Sequence, residues 1–64
     1  MKIVLNGEAR EVAAETLAAL LEECGFSGRV ATAVNEDFVP SSLRVGHRLN
    51  DGDRVEVLAP MQGG

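Results

Sequence analysis

Lys2-Ile3-Val4-Leu5-Asn6-Gly7-Glu8-Ala9-Arg10-Glu11-Val12 is the stretch whose reading decides the fold. Lys2 to Leu5 is a β-branched and aliphatic run that stops at a turn signal, which predicts a strand. Asn6-Gly7 supplies the two positive φ values of a type I′ turn, so the chain reverses within two residues. That loop length sets Leu5 opposite Glu8, Ile3 opposite Arg10 and Met1 opposite Val12, with Lys2 facing Glu11 on the other side. Ile3, Leu5 and Val12 then share one face, as a core requires. Arg10 falls on the same face, its aliphatic stem expected over apolar neighbours and its guanidinium at the edge.

Beyond the hairpin the hydrophobic period changes from two to 3.6. Leu17, Leu20, Leu21 and Cys24 fall at i, i+3, i+4 and i+7 and predict one helix over about residues 16–25. Thr16 is the expected N-cap, with Glu15 near the positive end of the dipole. Gly25 stands where a left-handed residue ends a helix, and Phe26 is placed to fold back onto Leu21. Glu22 and Glu23 in the last turn oppose the dipole. Val30 to Asn35 predicts a strand with Val30, Thr32 and Val34 on one side. Ala31 and Ala33 lie on the other, small enough to admit a helix closely if that side faces it. Asn35-Glu36-Asp37 turns the chain into a stub, Phe38-Val39-Pro40, which Pro40 confines to an edge or an end. Ser41 to Leu49 predicts a loop or single helical turn, with Leu43, Val45 and Leu49 packed on the core. Asn50-Asp51-Gly52-Asp53 is a tight turn, and Arg54 to Leu58 alternates with Val55 and Val57 inward.

A hairpin, one helix across a sheet and further strands make an α+β layer pair. With the first and last strands parallel and adjacent in the middle, this is the β-grasp, or ubiquitin-like, arrangement. A mixed sheet of four to five strands is expected, with one main helix packed across it. The domain is expected over residues 1–59, followed by a flexible tail over 60–64 that ends in Gly63-Gly64. Pro60 stops a strand that reaches Ala59. Six extended residues from Ala59 reach roughly 20 Å at ~3.4 Å each. Two residues without a Cβ pass through a channel too narrow for others. With Met61 and Gln62 supplying reach, Met61, Gln62 and Gly63 are expected to thread a partner's active site. The carboxylate of Gly64 is then the group presented.

Composition narrows the function. Sixty-four residues form one small domain with no disulfide, since Cys24 is the only cysteine. With two Phe and no Trp or Tyr, the core must be aliphatic. A net charge of −4, from six basic and ten acidic residues, argues against nucleic acid and suits a basic groove on a protein partner. No secretion signal and no membrane-length apolar run is read, and one lone cysteine fits a reducing cytosol, so a cytoplasmic location is expected. Cys24, on the helix stripe, reads as a core cysteine, and His47 as a solvated loop histidine. Glu36-Asp37 and Asp51-Asp53 are turn formers without calcium-loop spacing, so no metal site and no catalytic residue is expected. The chain reads as a substrate or binding module rather than a catalyst. The reactive group left is the Gly64 carboxylate. Attack on the α-phosphate of ATP converts it to an acyl-adenylate, and a sulfur nucleophile displaces AMP.

These features resemble the ThiS family, the ubiquitin-like sulfur carriers of thiamine biosynthesis, over all 64 residues. The resemblance rests on Lys2-Ile3-Val4-Leu5-Asn6-Gly7, Thr16-Leu17-Ala18-Ala19-Leu20-Leu21-Glu22 and Ala33-Val34-Asn35 followed by Phe38-Val39-Pro40. It also rests on Leu49-Asn50-Asp51-Gly52-Asp53-Arg54-Val55-Glu56 and Gly63-Gly64. It implies that a dedicated adenylating enzyme activates Gly64 with MgATP, the chain itself binding no cofactor. Sulfur from a cysteine desulfurase or another donor system makes the thiocarboxylate (1-thioglycine), which supplies thiazole synthase. Some members form an acyl link to a cysteine of the activating enzyme. After Val39-Pro40 family members often carry a basic and then an aromatic residue; this chain has Ser41, Ser42 and Leu43. The Asp-Gly-Asp turn and Gly-Gly end also occur in the molybdopterin-synthase small subunit. A ubiquitin-like protein modifier joined to lysines through Gly64 would share the same tail, and a plain interaction domain would carry it as an inert end.

Overall fold

A computed structural model describes residues 1–59. The tail expected over 60–64, and with it Met61, Gln62, Gly63 and Gly64, lies outside the described residues. Strands β1 (Lys2–Leu5) and β2 (Glu8–Glu11) precede helix α1 (Leu17–Glu23). Strands β3 (Ala31–Val34) and β4 (Asp37–Val39), a 3-10 turn over Ser41–Leu43 and strand β5 (Arg54–Leu58) follow. The sheet order is β2-β1-β5-β3-β4, with β1 and β5 parallel and the other neighbours antiparallel. One helix on a mixed five-stranded sheet with parallel first and last strands is the β-grasp.

The first hairpin has the register set by its turn: Leu5 opposite Glu8, Ile3 opposite Arg10 and Lys2 opposite Glu11. Met1 and Val12 extend it, each amine or amide donating to the other's carbonyl at 2.8 Å. Asn6 and Gly7 both have positive φ, 49° and 85°. A second two-residue reversal joins β3 to β4, with Asn35 at 51° and Glu36 at 75°. Glu36 is an unusual occupant there, because a Cβ disfavours the left-handed region.

The helix ends are closed by partners from distant sequence. Thr16 accepts from the Ala19 N–H at 3.1 Å. Two further amides of the first turn donate to loop carbonyls, Leu17 to His47 at 2.9 Å and Ala18 to Arg44 at 3.2 Å. At the other end Phe26 donates to Leu21 at 2.9 Å and Gly25, at φ 80°, donates to Glu22 at 3.2 Å, which completes a Schellman closure. Glu23, in the last turn, has a use that offsets its unfavourable place on the dipole. Its carboxylate accepts from the amides of Ala13 at 3.1 Å and Ala14 at 2.8 Å, where the chain passes from β2 toward the helix.

The core is aliphatic: Ile3 and Leu5 of β1, Val12, Ala14, Leu17, Leu20 and Leu21, Val34, Val39, Leu49, Val55 and Val57. Two expectations are corrected, and one open choice is decided. The inward side of β3 is Thr32 and Val34, not the alanines, because the larger side chains fill the space under the helix. Arg10 is exposed with all of β2, because a helix ~10 Å across cannot cover five strands spaced ~4.8 Å apart. Leu43 and Val45 are exposed, and of the three loop residues only Leu49 joins the core.

Thr32 is the one polar residue buried with the core among the described residues. Its hydroxyl donates to the Val39 carbonyl at 2.7 Å and accepts from Arg44 Nε at 3.0 Å, while Arg44 Nη2 donates to the Val30 carbonyl. Replacing Thr32 by Val keeps the shape but leaves the Val39 carbonyl and Arg44 Nε without this partner. Such a loss costs about 1–3 kcal/mol, and urea unfolding of T32V should show it. In Glu23→Ala the amides of Ala13 and Ala14 lose their acceptor, so their hydrogen exchange should accelerate more than that of Leu20.

Candidate functional site

The site is organised by the end of β5. That strand lies mid-sheet, between β1 and β3, and alternates with Val55 and Val57 buried and Arg54, Glu56 and Leu58 on the outer face. The chain continues from Leu58 to Ala59, the last described residue. Whatever the following residues do, they start from the centre of the sheet at the end of a strand bonded on both sides.

The outer face beside that exit carries a large exposed apolar group. Register places Ala33 between Phe38 of β4 and Glu56 of β5, and Ala31 opposite Leu58. Phe38 is 69% exposed and Leu58 66% exposed. Two large side chains therefore flank a floor of two alanines. One hollow is lined by Ala31, Thr32, Ala33, Phe38, Glu56 and Leu58, and a second by Arg29, Val30, Ala31, Leu58 and Ala59. They share Ala31 and Leu58, so one apolar trough runs to the exit of the chain. The small alanines leave room for something outside to approach the sheet, on the side away from the helix. Charges of both signs border the trough: Glu56 lines one hollow and Arg29 the other.

Sequence reasoning does not find this face. The signal is present in the alternation of Ala31, Ala33, Phe38 and Leu58. Each of these residues is equally plausible inside a core, and only the pairing puts them together outside.

The remaining candidates behave as structural residues. Cys24 caps the helix and packs, half-buried, against the core. His47 is half-buried and contributes its carbonyl to the helix N-terminus. Asp51 and Asp53 hold the turn before β5: Asp51 accepts from the Lys2 amide and Asp53 from the Asn50 amide, both at 2.8 Å. Among the described residues no group of three or more His, Cys, Asp or Glu could hold a metal ion, and no helix is long and apolar enough to cross a membrane.

Comparison with known proteins places this geometry. The ThiS family model matches residues 3–64. The sulfur carrier protein ThiS of Thermus thermophilus is 48% identical over 62 residues, 94% of this chain and 95% of that protein. A thiazole synthase of Paramagnetospirillum magneticum is 44% identical over 66 residues, and this chain spans only 20% of its length. The crystal structure of a thiamine biosynthesis protein (ThiS) from Geobacter metallireducens superposes with a TM-score of 0.83 at 28% identity, covering all of both chains. On the match across residues 3–64 and the near full-length relative, the chain belongs to the ThiS family.

Proposed function

We propose that this chain is the sulfur carrier of thiamine thiazole biosynthesis and that Gly64 is its reacting residue. The observation that carries the reading is the family match through Gly64, joined to a chain that leaves the sheet at its centre. The Gly64 carboxylate attacks the α-phosphate of MgATP in an adenylating enzyme, and pyrophosphate leaves. A persulfide sulfur, supplied by a cysteine desulfurase or another donor, attacks the activated carbonyl, and AMP leaves. Thiol reduction of the resulting S–S bond yields the thiocarboxylate. The absence of a side chain at Gly64 keeps the carbonyl open to both attacks. Met61, Gln62 and Gly63 thread the enzyme channel.

Thiazole synthase is the sulfur acceptor in this reading. A thiazole synthase that matches this whole chain over a fifth of its own length supports that pairing. The chain supplies no catalytic group: it is a protein co-substrate. The trough of Phe38, Leu58, Ala31 and Ala33 is the face that docks the adenylating enzyme. An enzyme that takes in the residues after Ala59 must contact the surface beside Ala59, and apolar anchors with a charged rim suit such an interface.

Intact-mass spectrometry tests the chemistry. The chain ending at Gly64, given the adenylating enzyme, MgATP and a sulfur donor, should gain the sulfur-for-oxygen mass difference. A chain lacking Gly64, or with Gly64 as its amide, should gain nothing; a normal gain in either sinks the reading. The docking face is tested by Phe38→Asp. Both states of that exposed residue are hydrated, so stability should stay within about 0.5 kcal/mol. KM for the adenylating enzyme should rise by roughly tenfold or more, as for loss of a buried apolar anchor.

A further inference from the structure

The two hairpin turns, Asn6-Gly7 and Asn35-Glu36, share a device that turn chemistry alone does not require. Each opens on an asparagine in the left-handed region, and each asparagine turns its carboxamide onto β5. Asn35 holds the start of the strand: its Oδ1 accepts from the Arg54 amide at 2.9 Å and its Nδ2 donates to Asp53 Oδ1 at 3.0 Å. Asn6 holds the end. The Val57 amide donates to Asn6 Oδ1 at 2.9 Å, and Asn6 Nδ2 donates to the Val57 carbonyl at 3.3 Å. β1 last pairs with β5 at Leu5 and Val55, then reverses at Asn6-Gly7. Without a substitute, the edge of β5 facing β1 would lose its partner there. A primary carboxamide offers one acceptor and donors side by side, as the edge of a peptide does. Asn6 thus stands in for the next residue of β1, and the strand stays bonded on both sides up to Val57, opposite Thr32.

We propose that Asn6 is a positioning residue for delivery of the C-terminal carboxylate. Its carboxamide fixes Val57 from the β1 side, and with Leu58 paired to Ala31 on the other side it sets the direction in which the chain leaves β5 at Ala59. The proposal rests on the sulfur-carrier reading. The competing role is the turn alone, and glycine serves the turn equally well. Asn6→Gly therefore keeps the reversal and deletes the clamp. Asn35→Gly makes the same deletion at the other end of the same strand, where the chain does not exit.

Both variants and the wild-type chain are assayed with the adenylating enzyme and MgATP by pyrophosphate release, at a temperature where circular dichroism shows all three folded. In N6G the Val57 amide should exchange faster, and kcat should fall by about fivefold with KM unchanged, as expected for lost orientation at an intact docking face. N35G should keep the wild-type kcat. An N6G chain with wild-type kcat, or an N35G chain slowed as much as N6G, overturns the positioning role alone. Absence of pyrophosphate release from the wild-type chain overturns the sulfur-carrier reading and this role with it.

Discussion

The structure depends on one constraint: β5, the last strand, is held in the middle of the sheet. Its neighbours are β1, from the start of the chain and parallel, and β3, antiparallel. Closing a contact across nearly the whole chain is entropically costly, and parallel pairing gains slightly less per residue than antiparallel pairing. The core offsets this. Ile3, Leu5, Val55 and Val57 are buried side by side under the helix, with Thr32 and Val34 completing the layer. The polar edges are bonded as well. Val4 donates to the Asp53 carbonyl and Asn6 to the Val55 carbonyl, both at 2.9 Å, and Gly52 donates to the Lys2 carbonyl at 2.7 Å. A strand held this way gives a firm origin to whatever chain follows it.

The irregular half of the molecule has a comparable task at the helix. A seven-residue helix has more unsatisfied end groups than internal hydrogen bonds, so its stability comes from its surroundings. The loop carbonyls of Arg44 and His47 take two first-turn amides. Leu49 donates to the Glu15 carbonyl at 2.9 Å, which ties the loop alongside the start of the helix. Arg44 in turn is anchored on Thr32 and Val30. The segment with the weakest pattern in the sequence is therefore the one that closes the helix N-terminus. Carbonyl capping uses no side chain, so it leaves no mark on residue types.

The same logic separates the two faces of the sheet. The inner face is closed by a helix from within the chain and is aliphatic. The outer face is closed by nothing among the described residues, yet at β3, β4 and β5 it carries Phe38 and Leu58 over two alanines. A monomer stable by itself gains little from two large exposed apolar side chains, and an apolar patch rimmed by polar groups marks a surface for a protein partner. A net charge of −4 favours encounter with positively charged surfaces without adding much affinity.

The amino-acid sequence alone determined the local geometry: the Asn6-Gly7 reversal and its register, the Thr16 cap, the Gly25 closure and the inward Val55 and Val57. These follow from backbone preferences and periodicity within a few residues. It also carried the family, through motifs spread over the whole chain. The tertiary structure alone decided which side of β3 meets the helix, because two-residue periodicity defines two faces without saying which is covered. It also decided that Arg10, Leu43 and Val45 are exposed, that Glu23 serves the Ala13 and Ala14 amides, and that Asn6 and Asn35 both grip β5. Each of these is a contact between residues far apart in the chain or a limit on how much sheet one short helix covers, and neither is encoded in a local pattern.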